Sequence, residues 1–351
     1  MTQTPPTSSK RRTGDDALDA AIAGLVDSAA GEHTRLGTEL LVAAVGLLTD
    51  GPHRLDLKIA TAALQEMRDA YSTFAPYRGA KKVTVFGSAR TQPHDKAYEQ
   101  AYDVAKALAE MGWMVVTGAG PGIMIAANEG AGLEMSFGVN IRLPFETEVN
   151  ALLHGDEKLV EMKYFFTRKL MLIKESQGFI ALPGGFGTLD ETFELLTLQQ
   201  TGKADPSPIV MLDVPGGTYW SRWHDYVLEE LEANGMVNPA DRELYTITDN
   251  VEVACAAISD FWTNYHSIRY VGDRLVVRMQ HEITDEALAD INREFGHLVD
   301  RGSITRSPPL GPEVDDDDVL ALPRLAFAYG NRHYGKLHPL IRAVNQGSVA
   351  N

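Results

Sequence analysis

The sequence predicts an α/β protein centred on a parallel sheet with helices on both faces. Three observations predict it. Short apolar runs at 83–86, 113–117, 137–143, 179–182 and 209–212 alternate with helix-period stretches at 97–111, 123–134, 165–177, 189–199 and 219–234. Three of the runs open into glycine turns: Gly87-Ser88-Ala89-Arg90, Gly118-Ala119-Gly120-Pro121-Gly122 and Pro183-Gly184-Gly185. The 351 residues, 44% of them hydrophobic, suffice for about two domains with ordinary cores. Strand, glycine turn and helix in repetition build parallel pairs, and ligands of such sheets bind outside the carboxyl ends of the strands. The glycine turns sit at those ends.

The flanks read differently. Residues 1–15 are rich in Thr, Ser and Pro, carry Lys10-Arg11-Arg12, and lack the apolar stretch of a signal peptide, so a disordered tail is expected. Over 16–80, Leu18, Ile22, Leu25 and Val26 recur at helical spacing, as do Leu40, Val45 and Leu48. Asp50-Gly51-Pro52 interrupts this helical extension, and 55–71 resumes it. The α/β core is expected over 81–268. Beyond it, 269–351 reads as a small appended α+β unit, with a strand at 274–279 and a helix at 285–300. Residues 307–318, ending in four aspartates, read as an exposed, solvated loop. Arg332, His333, Lys336 and His338 read as polar surface.

Charge narrows the function. Lys plus Arg is 32 and Asp plus Glu is 48, a formal net charge of −16. Polyanions repel such a surface, which argues against nucleic acid and membrane as partners. One small phosphate site built from backbone N–H groups and a few arginines stays compatible with it. The most apolar early run, 40–48, is far short of the roughly 20 residues that span a bilayer. The single Cys255, in the apolar stretch 251–258, allows no intrachain disulfide and reads as a buried core thiol. A cytoplasmic setting fits. The ten histidines show no metal-binding spacing, and neither metal nor cofactor is expected.

Two nucleotide fingerprints fail. The P-loop pattern is absent, and Gly118-Ala119-Gly120 would need a third glycine where Ile123 stands. Arg142 also occupies the region where a dinucleotide site wants an acidic residue. The most distinctive segment is Pro183-Gly184-Gly185-Phe186-Gly187-Thr188-Leu189-Asp190-Glu191. Thr188-x-x-Glu191 matches a capping box, in which Glu191 only satisfies backbone. Alternatively, residues 185–188 hold a phosphate and Glu191 faces the sugar beside it.

Pro-Gly-Gly-x-Gly-Thr-x-x-Glu, with Arg168-Lys169 upstream and Gly-Pro-Gly-Ile-Met at 120–124, resembles the LOG ("Lonely Guy") family. The resemblance spans about residues 81–265. It implies a modified Rossmann fold, a homo-oligomer (dimer or larger), and release of the free base from a nucleoside 5′-monophosphate, AMP or a cytokinin-type nucleotide. It places the catalytic pair at Arg168 and Glu191. Ser88, Gly120, Gly122, Lys169, Gly184, Gly185, Gly187 and Thr188 become the expected substrate contacts, although turn geometry alone asks for glycine at several of these. A carboxylate under the ribose would stabilise positive charge developing there, and an arginine fork suits phosphate or ribose oxygens. Phe186 either shapes the pocket or stacks on a wall, and Met124 is expected to pack under the sheet. The long flanks depart from short plant-type members and leave the substrate open. A nucleotide-binding sensor or carrier without turnover is the rival reading.

Overall fold

The structure, a computed structural model, describes residues 11–29, 31–142, 150–330 and 334–347. Most of the expected tail, residues 1–10, lies outside the described residues, as do Leu143 and Pro144 at the end of the third apolar run. The chain divides into two units, one up to Arg68 and one from Asp69. In the first, helices α1 (Asp16–Ala29) and α2 (Thr34–Thr49) pack Ile22 and Val26 against Leu41, Val42 and Val45. Helix α3 (Arg54–Phe74) follows the Asp50-Gly51-Pro52 break, where Gly51 takes a positive φ of 69°.

The second unit holds two sheets. The larger is all-parallel: β1 (Lys82–Phe86), β2 (Met114–Thr117), β3 (Ser136–Ile141), β4 (Leu159–Met162), β5 (Gly178–Ala181), β6 (Ile209–Leu212) and β7 (Tyr245–Thr248), in spatial order β4-β3-β2-β1-β5-β6-β7. Every residue of β1, β2, β5 and β6 is buried, as expected of parallel strands covered on both faces. One face carries α4 (Lys96–Glu110), α5 (Ile123–Ala131) and α9 (Val251–Asp260), whose Val104, Leu108, Ile123 and Ile258 meet Val83, Val115, Ile180 and Val210. The other carries α6 (Phe165–Lys174), α7 (Phe186–Gln200) and α8 (Tyr219–Tyr226), with Leu189, Leu196 and Trp220 packed near Ala181 and Met211. The expected α/β class with helices on both faces is the observed one.

Two strands of the larger sheet were not expected from the sequence, nor were three of the smaller sheet described below. Both β4 and β7 are edge strands of four residues, with exposed Glu161 and Thr246 among their positions, so neither reads as a buried apolar run. Cys255 lies in the core, and burial lifts its thiol pKa to about 11, which makes it an inert packing group. No helix among the described residues is long and apolar enough to cross a membrane.

The smaller sheet is antiparallel, ordered β10-β11-β9-β8, from β8 (Tyr265–Val271), β9 (Arg274–Met279), β10 (Thr305–Arg306) and β11 (Arg324–Ala328). Its first strand begins four residues ahead of 269, where the appended unit was expected to start. Helices α10 (Asp285–Phe295) and α12 (Leu337–Gln346) cover it, burying Ile291, Phe295, Leu340 and Ile341 against Leu275, Val277 and Phe327.

The expected exposed loop at 307–318 is exposed at Asp315, Asp316 and Asp317, but the reading needs correction elsewhere. It contains α11 (Gly311–Asp315), whose Glu313 is wholly buried and accepts from Arg278 at 2.8 and 3.0 Å and Arg324 at 2.7 Å. Asp318 pairs with Arg269 and Arg278, and Asp316 with Arg269. The acidic run thus neutralises arginines presented by three strands. His338 is a second correction. It is buried, 2.8 Å from Gln199 Oε1 through Nε2, and burial pushes its pKa down to about 3. Arg332 and His333 lie outside the described residues.

Candidate active site

Strand order locates the site. From β1 the chain runs outward through β2, β3 and β4 on one side and through β5, β6 and β7 on the other. Loops leaving β1 and β5 therefore diverge, and the crevice between them is the topological switch point. A cleft of about 770 Å³ opens there, between residues 86–90 and 184–191, with Met124, Phe165, Arg168 and Leu172 completing its walls.

The three glycine turns meet at Ser88. Its N–H donates to the Pro183 carbonyl at 3.3 Å, and its own carbonyl accepts from Ile123 N–H at 3.0 Å. Gly122, at φ +69°, crosses so close to Ser88 that a Cβ would collide with that carbonyl. A Cβ on Gly120 would fall 2.7 Å from Met124 Cε. Neither Gly120 nor Gly122 lines the cleft; both shape the turn, and Ser88 already occupies the first amide of α5. Gly184, Gly185, Gly187, Thr188 and Ser88 do line it. A Cβ at Gly184 would strike Thr188 Oγ1, whereas Gly185 and Gly187 face open space.

Helix α7 begins with Gly185 as its N-cap, a residue with no side chain to accept the first-turn N–H groups. Orphan amides and a helix dipole of this kind suit an anion. The same boundary overturns the capping-box reading. Thr188 is the third helical residue, so Glu191 stands beyond the first three residues of the helix and caps nothing. Glu191 is 7% exposed, and its Oε2 is buried with no hydrogen-bond partner. Burial raises its pKa to about 7, against the pull of Lys169 and Arg168 and with the push of Glu194 and Asp190.

Arg168 comes from α6. Its Nε donates to the Val139 carbonyl within β3 at 2.9 Å and one Nη to the Gly118 carbonyl just past β2 at 3.2 Å. A Cβ at Gly118 would overlap this guanidinium, which explains the glycine. Burial lowers the Arg168 pKa from its usual value and Glu191 opposes that shift. Cleft and electrostatics thus bring Arg168 and Glu191 together. Lys169 is different: it lies outside the cleft lining, paired at 2.7 Å with both Asp190 and Glu194.

Other positions bear on the site. Met124 lines the cleft rather than packing under the sheet, and Phe186 stands 94% exposed, so it shapes the mouth without stacking on a wall. Arg90, not expected among the site residues from the sequence, lines the cleft beside Ser88. An arginine directly after a strand-end glycine turn was the available signal. Tyr219 OH donates to the Gly184 carbonyl at 2.7 Å and holds that turn. Ala119 sits at φ +54°, its N–H bonded to Thr117 Oγ1 at 3.0 Å and its carbonyl to Asn150 N–H at 3.0 Å. These last three contacts join residues distant in sequence or fix an unusual backbone, and no local motif signals them.

Fold and site define a class: a Rossmann-like α/β protein with a helix N-terminus, an arginine and a buried carboxylate facing one cleft at its switch point. Residues 106–258 match the family described as "Possible lysine decarboxylase". A cytokinin riboside 5′-monophosphate phosphoribohydrolase of Mycobacterium tuberculosis is 32% identical over 175 residues, 48% of this chain and 89% of that protein. The enzyme so named from Rhodococcoides fascians is 29% identical over 180 residues, covering 51% and 89%. One from Arabidopsis thaliana is 26% identical over 179 residues, covering 49% and 74%. The chain belongs to the LOG family. Among solved structures, the molybdenum cofactor carrier protein of Chlamydomonas reinhardtii aligns with 51% of this chain and 95% of its own, at 19% identity and a TM-score of 0.35.

Proposed function

We propose that the protein hydrolyses the N-glycosidic bond of a nucleoside 5′-monophosphate, AMP or a cytokinin-type nucleotide, to free base and ribose 5-phosphate. The observation that carries this reading is Glu191, a buried carboxyl with a partnerless oxygen, set near Arg168 in a cleft that also holds a helix N-terminus. The 5′-phosphate takes the first-turn amides of α7 and the turn at Gly184 and Gly185, with Ser88 and Thr188 beside it. That anchors the ribose over Glu191. As the bond to the base lengthens, positive charge grows on the sugar, and the carboxylate stabilises it more than it stabilises the ground state. The same group orients or deprotonates the attacking water, a role suited by its pKa near 7. Arg168, tied to two carbonyls, presents its cation to phosphate or ribose oxygens.

The names of the relatives support a phosphoribohydrolase, and the proposal adds the base: AMP or its N6-substituted forms. We place the reaction within 81–268, in a cytoplasmic homo-oligomer. The test is incubation with AMP, GMP, IMP, CMP, UMP, N6-isopentenyl AMP and adenosine, following released base by chromatography. Release is expected from AMP-type monophosphates, with adenosine at least about a hundredfold poorer in kcat/KM because phosphate binding positions the sugar. Nucleotide binding with no release from any of them would instead assign a sensor or carrier.

A further inference from the structure

The residue after Arg168 does something other than touch a phosphate. Lys169 reaches from α6 to α7, where its ammonium lies between Asp190 Oδ2 and Glu194 Oε2, 2.7 Å from each. These two acids bracket Glu191, one directly before it and one three residues after it. On a helix, positions three apart are surface neighbours, so Glu194 crowds Glu191 along their own helix. We infer that Lys169 is a positioning residue for Glu191: its clamp on Asp190 and Glu194 fixes the α7 face that carries Glu191 and keeps that carboxyl ionisable. The inference rests on the hydrolase reading, in which Glu191 acts as a carboxylate.

Charge explains why a lysine is placed here. Asp190 and Glu194 act on Glu191 from α7, and Arg168 and Lys169 act on it from α6. Three carboxyls therefore share two cations. Without Lys169, they would share one, and Glu191 would give up its proton less readily. The ion pairs themselves add little stability, since Asp190 is 62% exposed and Glu194 33%. What the lysine supplies is geometry and charge balance at Glu191.

The test compares wild type, Lys169→Met and Lys169→Arg by pH profiles of kcat on the best substrate of the panel. In wild type the ascending limb should have its midpoint near pH 7. In Lys169→Met that midpoint should rise by about one unit, cutting kcat at pH 6 roughly tenfold, with most of the rate recovered at pH 9 and KM nearly unchanged. Lys169→Arg should restore the wild-type limb. An unmoved limb with a raised KM would make Lys169 a substrate contact, and an unmoved limb with only a lower Tm would make it a structural brace. Either overturns the inference. Carbon-13 titration of the Glu191 carboxyl, assigned with Glu191→Gln, reads the same shift without turnover. If no nucleotide is cleaved yet that titration moves in Lys169→Met, the hydrolase reading fails and the clamp stands. A titration that does not move removes the clamp.

Discussion

Glu191→Gln is expected to lower kcat by roughly 10³-fold while raising thermal stability at alkaline pH. Both effects come from one environment. The amide matches the carboxylate in size but offers no negative charge to the ribose and cannot take a proton from water. Stability follows from the direction of the pKa shift. The fold raises the Glu191 pKa from 4.5 to about 7, so it prefers the neutral acid. That preference stabilises the fold below pH 4.5 and is lost as pH rises through 7. At pH 8 the buried anion costs up to about 3 kcal/mol, a cost the amide escapes apart from its own unmet donors. The variant should therefore melt above wild type at pH 8, and the gap should close toward pH 5. Kinetics and melting curves at both pH values check this. A variant with wild-type turnover would reduce Glu191 to a buried residue of no chemical consequence.

The second large effect belongs to Arg168. Arg168→Lys keeps the charge but loses the planar fork. An ammonium cannot hold the Val139 and Gly118 carbonyls at their present geometry and also address the substrate. We expect kcat/KM to fall by about 10²–10³ on every substrate, an effect of the size seen when a positioned donor is removed. Gly118→Ala probes the same point without changing charge. The new methyl would lie where the guanidinium now sits, so the arginine must move. A loss of about a hundredfold is expected, because small misplacements of a positioning group are costly. Wild-type rates from Gly118→Ala would show that the position of Arg168 is not critical.

In the larger sheet, the legible part was the part buried on both faces. The strands β1, β2, β5 and β6 announce themselves as apolar runs because neither face meets water. The edge strands β4 and β7 mix polar and apolar positions and were invisible to the same reading. Glycine turns were equally visible, but sequence cannot separate a glycine that admits a ligand from one that admits another loop. Gly185 and Gly187 face open space, whereas Gly122 yields to the Ser88 carbonyl. Thr188-x-x-Glu191 shows how narrow the margin is: a helix starting three residues earlier turns an apparent cap into a buried, partnerless carboxyl. The Arg278–Glu313–Arg324 cluster joins residues 35 and 11 positions apart, and an acidic run in sequence carries no sign of such partners.

Hydrolysis of a nucleotide at its glycosidic bond is the activity we propose for this cleft. The most direct measurement quantifies free base and ribose 5-phosphate together, from AMP in phosphate-free buffer, with Glu191→Gln run in parallel. Equal amounts of the two products are expected from wild type and almost none from the variant. AMP that binds to the wild-type protein and is recovered intact would contradict the proposal.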